Sequence, residues 1–121
     1  SKLTSSPPTA LAASSMEVYI ANADGSDAHQ ITFLDKANWA PNFTPDGKHI
    51  IFCSNHVYER GFPFNIYRTD INGKELEKIS RDKGFDAFPM FSQDRKKFAF
   101  SSNRNNGGGH DTNVFIADWV D

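Results

Sequence analysis

A repeat of 48 residues is the feature that most constrains the fold of this chain. The segment 18–25 matches 66–73, with Tyr19 aligned on Tyr67, and the same offset holds downstream without a gap. Further aligned pairs are Ile31 with Ile79, Pro41 with Pro89, Phe43 with Phe91, Asp46 with Asp94, Phe52 with Phe100 and Ser54-Asn55 with Ser102-Asn103. A period of roughly forty to fifty residues, with short strands and glycine turns, is typical of β-propellers.

Within each copy, short runs of alternating apolar and polar residues are separated by turn sequences. Asp24-Gly25, Pro45-Asp46-Gly47 and Asn72-Gly73 are strong turn signals, and no helical periodicity competes with the strand pattern. The sequence therefore predicts an all-β fold. The nine predicted strands span 17–23, 29–33, 39–44, 49–54, 65–70, 76–80, 87–92, 97–102 and 113–118.

The two quoted repeat segments resemble the TolB-type propeller repeat. The stretch 40–55 is similar to its P-x-F/W-S-P-D-G-K-x-I-x-F-x-S pattern, and 18–25 is similar to its I-Y-x-x-x-x-D-G pattern. The resemblance implies a partial β-propeller with about two four-stranded antiparallel blades, in a periplasmic or secreted protein. It is specific for fold rather than function, because fold and function are only loosely linked.

Two blades do not close a ring, and an open arc exposes a strand edge and two apolar faces that natural sheets avoid exposing. We therefore expect a homo-oligomer. The six blades that the resemblance implies would be supplied by three chains of two blades each, so that a trimer is favoured.

Composition limits the other classes of function. The net charge is −2, from 13 basic and 15 acidic side chains without a basic cluster, which argues against a nucleic-acid partner. No apolar run reaches the roughly 20 residues of a membrane-spanning helix, and no signal peptide is visible. We interpret 1–15, rich in Ser, Thr and Pro, as a flexible arm or an expression remnant, and 16–121 as the propeller repeats.

The variable loops are the candidate binding site, because loops on a rigid scaffold usually carry recognition. These loops span 56–64 and 104–112, and they lie at the same end as the crossovers 35–38 and 82–86. The candidate ligand-binding residues are Asn55, His56, Tyr58, Arg60, Asn103, Arg104, His110 and Asp111.

Three aromatic residues of the first loop, Tyr58, Phe62 and Phe64, either stack on a ligand or pack on a neighbouring blade. His56 and His110 lie in equivalent loops, but the metal-ligand spacings H-x-x-x-H and C-x-x-C are absent, and so is the nucleophile motif G-x-S-x-G. We predict no catalytic residues, no metal and no cofactor.

Three functions remain open at this point. The leading hypothesis is a non-catalytic module that binds a protein partner through its loops or channel. The second is a carbohydrate-binding module that uses the aromatic loops. The third is the propeller portion of a peptidase or lyase, whose catalytic site would be composite or lie in another domain.

Overall fold

The computed structural model describes residues 2–6 (backbone), 15–57, 64–81, 84–105 and 111–120. Within these ranges all regular structure is β-strand, which confirms the predicted all-β class, and no helix long and apolar enough to cross a membrane occurs. The strands are β1 (Lys2–Ser6), β2 (Glu17–Ala21), β3 (His29–Gln30), β4 (Asn38–Phe43), β5 (His49–Ser54), β6 (Asn65–Asp70), β7 (Glu77–Lys78), β8 (Asp86–Phe91), β9 (Lys97–Ser102) and β10 (Asn113–Asp118).

The strands form three antiparallel sheets that pack against one another in chain order. Sheet I has the order β1-β2-β3, sheet II the order β4-β5-β6-β7, and sheet III the order β8-β9-β10. Sheet II is complete, and its strands define four places, numbered from β4 outwards. This arrangement is that of consecutive blades of a propeller, as the repeat predicts.

The pairing register repeats with the sequence. Tyr67 pairs with Phe52 in sheet II, and its counterpart Phe115 pairs with Phe100 in sheet III. The inner pair of each sheet also carries the same irregularity, because the register shifts between Trp39 and Asn42 and again between Ala87 and Met90. The 48-residue offset therefore applies both to the strand pairing and to the register shift in the inner pair of each sheet.

Part of the N-terminal segment forms a strand, although the composition of 1–15 predicts a flexible arm. Lys2–Ser6 forms β1, which pairs with β2 and takes the second place of sheet I. Thr4 pairs with Tyr19, and Thr4 lies 48 positions before Phe52, so β1 also follows the repeat. This segment forms a strand because β2 offers it an open edge to pair with, which the composition of 1–15 does not indicate. The described part of the chain thus has ten strands rather than the nine predicted, whereas the domain boundary at residue 15 stays a prediction.

Two apolar clusters hold the sheets together. Between sheets I and II, one cluster comprises Val18, Ile20, Ile31, Ile50, Phe52 and Tyr67, and between sheets II and III the other comprises Ile51, Ile66 and Phe98, with Phe91, Phe100 and Trp119 against it. Burying an aliphatic or aromatic side chain of this size contributes about 1.5 to 3 kcal/mol. We call the two interfaces the first junction and the second junction.

The hairpin turns are fixed by aspartates. Asp46 Oδ1 accepts hydrogen bonds from the Thr44 hydroxyl and the Lys48 N–H, and these bonds lower the pKa of Asp46 below its usual value. Gly47 has a φ of 70°, whereas its counterpart in the second copy, Arg95, holds a φ of 65° despite its side chain. The second turn therefore keeps its geometry after losing the glycine.

Candidate functional site

The described residues that flank these loops and crossovers lie together at one end of the sheets, which we call the loop end. Asn55 is buried there, and its Oδ1 accepts a hydrogen bond from the Ala37 N–H at 3.0 Å. Asn103 does the same for the Phe85 N–H at 2.9 Å. Both candidate residues therefore hold a crossover in place, which is a role of the scaffold.

His56 also packs inward. Its ring lies 4.6 Å from that of Tyr67, and its Nδ1 is 3.0 Å from the Ser54 hydroxyl. Burial lowers the pKa of His56 below its usual value, and the charge of Lys78 adds a smaller effect in the same direction. Its surroundings thus favour the neutral form of the imidazole.

Arg104 occupies the equivalent place in the next copy and is anchored more strongly. Its guanidinium donates to the fully buried carboxylate of Asp86 at 2.9 Å, and its Nε donates to the Ser102 hydroxyl at 2.9 Å. The guanidinium also lies over the rings of Phe100 and Phe115, at 4.9 and 5.8 Å from their centroids. These contacts use the charge of Arg104 within the fold.

The structure describes one of the four remaining candidates. Asp111 is exposed before β10. Tyr58, Arg60 and His110 lie outside the described residues, as does Phe62. Phe64 is described and is buried, so it packs within the protein, which was one of its two expected roles.

An aromatic group that the sequence reasoning missed lies at the loop end of the second junction. We call Trp39, Phe64, Phe85 and Phe88 the loop-end aromatic cluster. Trp39 stands edge-on to Phe64 and to Phe88, with centroid distances of 5.4 and 4.9 Å, and Phe85 lies 6.0 Å from Phe64. Phe88 keeps 48% of its surface exposed. The cluster therefore offers an aromatic surface at the loop end.

A bulge in the inner strand presents Phe88. Phe88 has a φ of 55°, and its counterpart Ala40 has a φ of 53°, each followed by a proline at the point where the register shifts. A positive φ is strained for a residue with a side chain, at a cost of about 1 to 2 kcal/mol. The signal in the sequence was the substitution of Ala40 by Phe88 between otherwise matching segments.

The described residues contain no group of three or more His, Cys, Asp or Glu that could hold a metal ion. Cys53 is fully buried, and burial raises the pKa of its thiol to about 12, which makes it a poor nucleophile. The chemistry available at the loop end is apolar contact with aromatic rings, together with the backbone and side chains of the crossovers.

The chain is similar in sequence and in structure to proteins named TolB. The Tol-Pal system protein TolB of Francisella tularensis subsp. mediasiatica (strain FSC147) is 28% identical over 101 residues, which are 83% of this chain and 22% of that protein. TolB of subsp. tularensis (strain SCHU S4 / Schu 4) gives the same figures. The chain thus spans about a fifth of the length of these relatives. No protein-family model matches it.

Two solved structures share the fold. A structure assigned as TolB from Agrobacterium tumefaciens superposes with a TM-score of 0.68 at 24% identity, over 85% of this chain and 37% of that one. TolB from Acinetobacter baumannii gives a TM-score of 0.66 at 24% identity, over 87% of this chain and 24% of that one. The chain thus has the fold of a partial β-propeller and is similar to these TolB structures.

Proposed function

We propose that the chain is a non-catalytic binding module that holds a protein partner at the loop end, with the loop-end aromatic cluster as its anchor. The relatives are named as Tol-Pal system proteins, and their name supports a protein component of that system as the partner. The periplasm is the compartment that the resemblance to the TolB-type repeat favours. Rigid aromatic side chains commonly supply the strongest contacts of a protein interface.

The observation that carries this proposal is that the cluster breaks the repeat. At the first junction, Met16, Ala37 and Ala40 stand where the second junction has Phe64, Phe85 and Phe88. The first junction packs without these rings, so the blade architecture does not require them. A half-exposed phenylalanine at a strained φ is therefore an addition to the scaffold, and binding is the use that such an addition supports.

The geometry of the rings favours a protein over a carbohydrate. A sugar stacks on an open ring face, whereas the Trp39 ring meets Phe64 and Phe88 at interplanar angles of 89° and 86°. An interlocked, edge-on group of this kind leaves the half-exposed Phe88 as the surface on which an apolar side chain of a partner can pack. Carbohydrate binding through Phe88 remains the alternative, and the propeller portion of a peptidase or lyase is the third.

Self-association is a second element of the proposal. In a ring of three chains, sheet III of one chain and sheet I of the next would form one blade. Both sheets have strands in the second and third places, so one strand of each duplicated pair would have to be displaced. We still expect a trimer if β1 is one of the displaced strands. The edge of β2 that β1 occupies would then pair with a strand of the neighbouring chain. Light scattering on the purified chain measures its mass directly, and a concentration-independent monomer would contradict self-association.

Binding is tested with the purified soluble domain of Pal from Francisella tularensis as probe, by calorimetry. Phe88→Ala should weaken the affinity at least tenfold, because it removes the exposed ring of the anchor. Leu76→Ala is the matched control, since Leu76 is 43% exposed in the turn opposite the loop end, and should change the affinity less than twofold.

The same titration with laminarihexaose and chitohexaose separates the carbohydrate alternative. Heat with a glycan that is lost in Phe88→Ala would favour that alternative. Binding of Pal that is equal for the wild-type chain and Phe88→Ala, or no binding of any probe, would contradict the proposed site.

A further inference from the structure

The second junction holds the guanidinium group of Arg104 in a defined site. Arg104 donates to the fully buried carboxylate of Asp86 and to the Ser102 hydroxyl, each at 2.9 Å. Its guanidinium lies over the rings of Phe100 and Phe115. We call the space lined by these four residues a guanidinium site. A carboxylate oxygen, a hydroxyl and two ring faces are the surfaces that a planar guanidinium fits.

The first junction repeats this site between sheet I and the complete sheet II. By the 48-residue offset from Asp86, Ser102, Phe100 and Phe115, the lining residues are Asn38, Ser54, Phe52 and Tyr67. All four of these are buried. At the position of Arg104, however, the first junction has His56. The guanidinium site of the first junction is therefore built from the same strands but has no guanidinium of its own.

His56 reproduces only some of the contacts that Arg104 makes. Its Nδ1 is 3.0 Å from the Ser54 hydroxyl, as Arg104 Nε is 2.9 Å from that of Ser102, and its ring packs on Tyr67. It makes no hydrogen bond to Asn38 Oδ1 within the described part of the chain. Because His56 is half-buried even though sheet II is complete, it lies at the boundary between the site and solvent.

The amide of Asn38 directs its oxygen into the site. Asn38 Nδ2 donates to the Glu17 carboxylate at 2.7 Å and to the Met16 and Lys36 carbonyls at 3.0 Å each. These acceptors fix the nitrogen, so Oδ1 takes the position of Asp86 Oδ1, which is the atom that accepts from Arg104. Asn38 is fully buried, and its Oδ1 has no hydrogen-bond partner among the residues that the structure describes. A buried acceptor without a donor is costly, and a donor entering the site would satisfy it.

Charges near the site act in both directions on a bound cation. Glu17 lies one hydrogen bond beyond Asn38, and burial together with the negative charge of Asp35 raises the pKa of its carboxyl. A cation in the site would favour the ionised form of Glu17 and would be attracted by it. Lys78 opposes this attraction, since its charge adds to the lowering of the His56 pKa that burial causes.

We propose that the guanidinium site of the first junction binds the guanidinium group of an arginine from another molecule. The group donates to Asn38 Oδ1 and lies over the rings of Phe52 and Tyr67, while the half-buried His56 ring turns outward to admit it. The arginine belongs to a segment of a bound protein or is free in solution, and the test separates these two sources. The site shares no residue with the loop-end aromatic cluster, so it does not depend on the proposed function.

The test titrates the whole chain with N-acetyl-arginine methylamide, the blocked arginine, and follows it by NMR. We expect saturable shifts of the Asn38 side-chain amide and of the His56 ring. N-acetyl-lysine methylamide has the same charge without the planar fork of donors, and it should bind at least about fivefold more weakly. Free arginine separates the sources: affinity below that of the blocked arginine assigns the site to an arginine within a protein segment, and equal or higher affinity assigns it to free arginine.

Four variants locate the binding. His56→Arg should abolish it, because the new side chain fills the site from within the chain. His29→Arg is the matched control, since it adds the same charge at an exposed position of β3, and it should change the affinity less than about twofold. Asn38→Ala should weaken binding about tenfold, the loss of one hydrogen bond to a charged group. Lys78→Gln should strengthen it about twofold by removing an opposing exposed charge.

Three outcomes would overturn the proposal. The first is the absence of saturable shifts, and the second is equal binding of the blocked arginine by the wild-type chain and His56→Arg. The third is equal binding of the blocked arginine and the blocked lysine, which would show attraction of any cation rather than a guanidinium site. Phe88→Ala should leave the titration unchanged, so failure here is distinguishable from failure of the proposed function.

Discussion

The first and second junctions each contain a buried carboxyl group, and side chains at the same three positions of the repeat satisfy it in two different ways. At the first junction these places hold Glu17, Asn38 and His56, and at the second they hold Asn65, Asp86 and Arg104. In both, an amide faces a carboxylate, but the two residues have exchanged positions. Asn38 donates to Glu17 at 2.7 Å, and Asn65 donates to Asp86 at 3.4 Å.

The difference lies in how each buried carboxylate is satisfied. Asp86 is paired with a cation, Arg104. Among the residues that the structure describes, Glu17 accepts from neutral donors, chiefly the Leu34 N–H and Asn38, and burial raises its pKa above the usual value despite them. The second junction therefore pairs its buried carboxyl group with a cation, whereas burial in the first junction disfavours the ionised form of Glu17.

The difference between the two junctions is tested most directly by removing the cation of the ion pair in the second junction. Arg104→Ala should lower the free energy of unfolding by about 3 kcal/mol, because it leaves the carboxylate of Asp86 buried without a cation. His56→Ala, the same change in the other copy, should cost only about 1 kcal/mol, since a neutral ring contact and one hydrogen bond are lost. Urea unfolding measures both, and equal losses would mean that the pair contributes nothing beyond packing.

The first junction contains a buried oxygen atom without a hydrogen-bond donor, and an arginine placed as in the second junction would supply one. Asn38 Oδ1 is buried with no hydrogen-bond partner among the described residues, and its counterpart in Asp86 accepts from Arg104. His56→Arg should therefore stabilise the chain by about 1 kcal/mol, by supplying the missing donor. Lys78 repels a cation at this place, so the gain should be larger in a Lys78→Gln background.

Asn38→Ala provides the control for this prediction. Once the orphan oxygen has been removed, His56→Arg should no longer stabilise the chain, and a double-mutant cycle measures the difference. A gain from His56→Arg that persists in Asn38→Ala would show that the arginine acts elsewhere.

The repeat also explains which features could be predicted from the sequence. Strands and turns followed from local patterns, because Asp24-Gly25 and Pro45-Asp46-Gly47 determine chain reversal within a few residues. Pairing of β1 was harder, since its Ser- and Thr-rich sequence has no strong strand pattern. The 48-residue offset nevertheless indicates this pairing, because Thr4 aligns with Phe52.

The candidate site was harder still, because loop position does not separate scaffold from binding residues. Asn55 and Asn103 are identical across the two copies, and both hold crossovers. Phe88 differs from its counterpart Ala40, and it is the residue that the bulge leaves half-exposed. At these positions, identity between the copies accompanies a scaffold role, and the difference at Phe88 accompanies the candidate site.

The smallest expected effect is a pH dependence carried by the first junction. The pKa of His56 is lowered in the fold, so as pH falls through about 6.5 the unfolded chain binds a proton more readily than the folded chain, and the free energy of unfolding falls. The pKa of Glu17 is raised, so its protonation favours the fold, and that gain appears at lower pH, down to the unfolded value near 4.5.

Two variants separate these opposing terms. His56→Phe should remove the loss of stability between pH 7.5 and 5.5, and Glu17→Gln should remove the gain at lower pH, each followed by urea unfolding across the range. His56→Arg should also remove the upper transition, because a guanidinium stays charged throughout. If His56→Phe kept the wild-type slope between pH 7.5 and 5.5, the titrating group would lie outside the first junction, and the contrast between the two junctions would be one of structure alone.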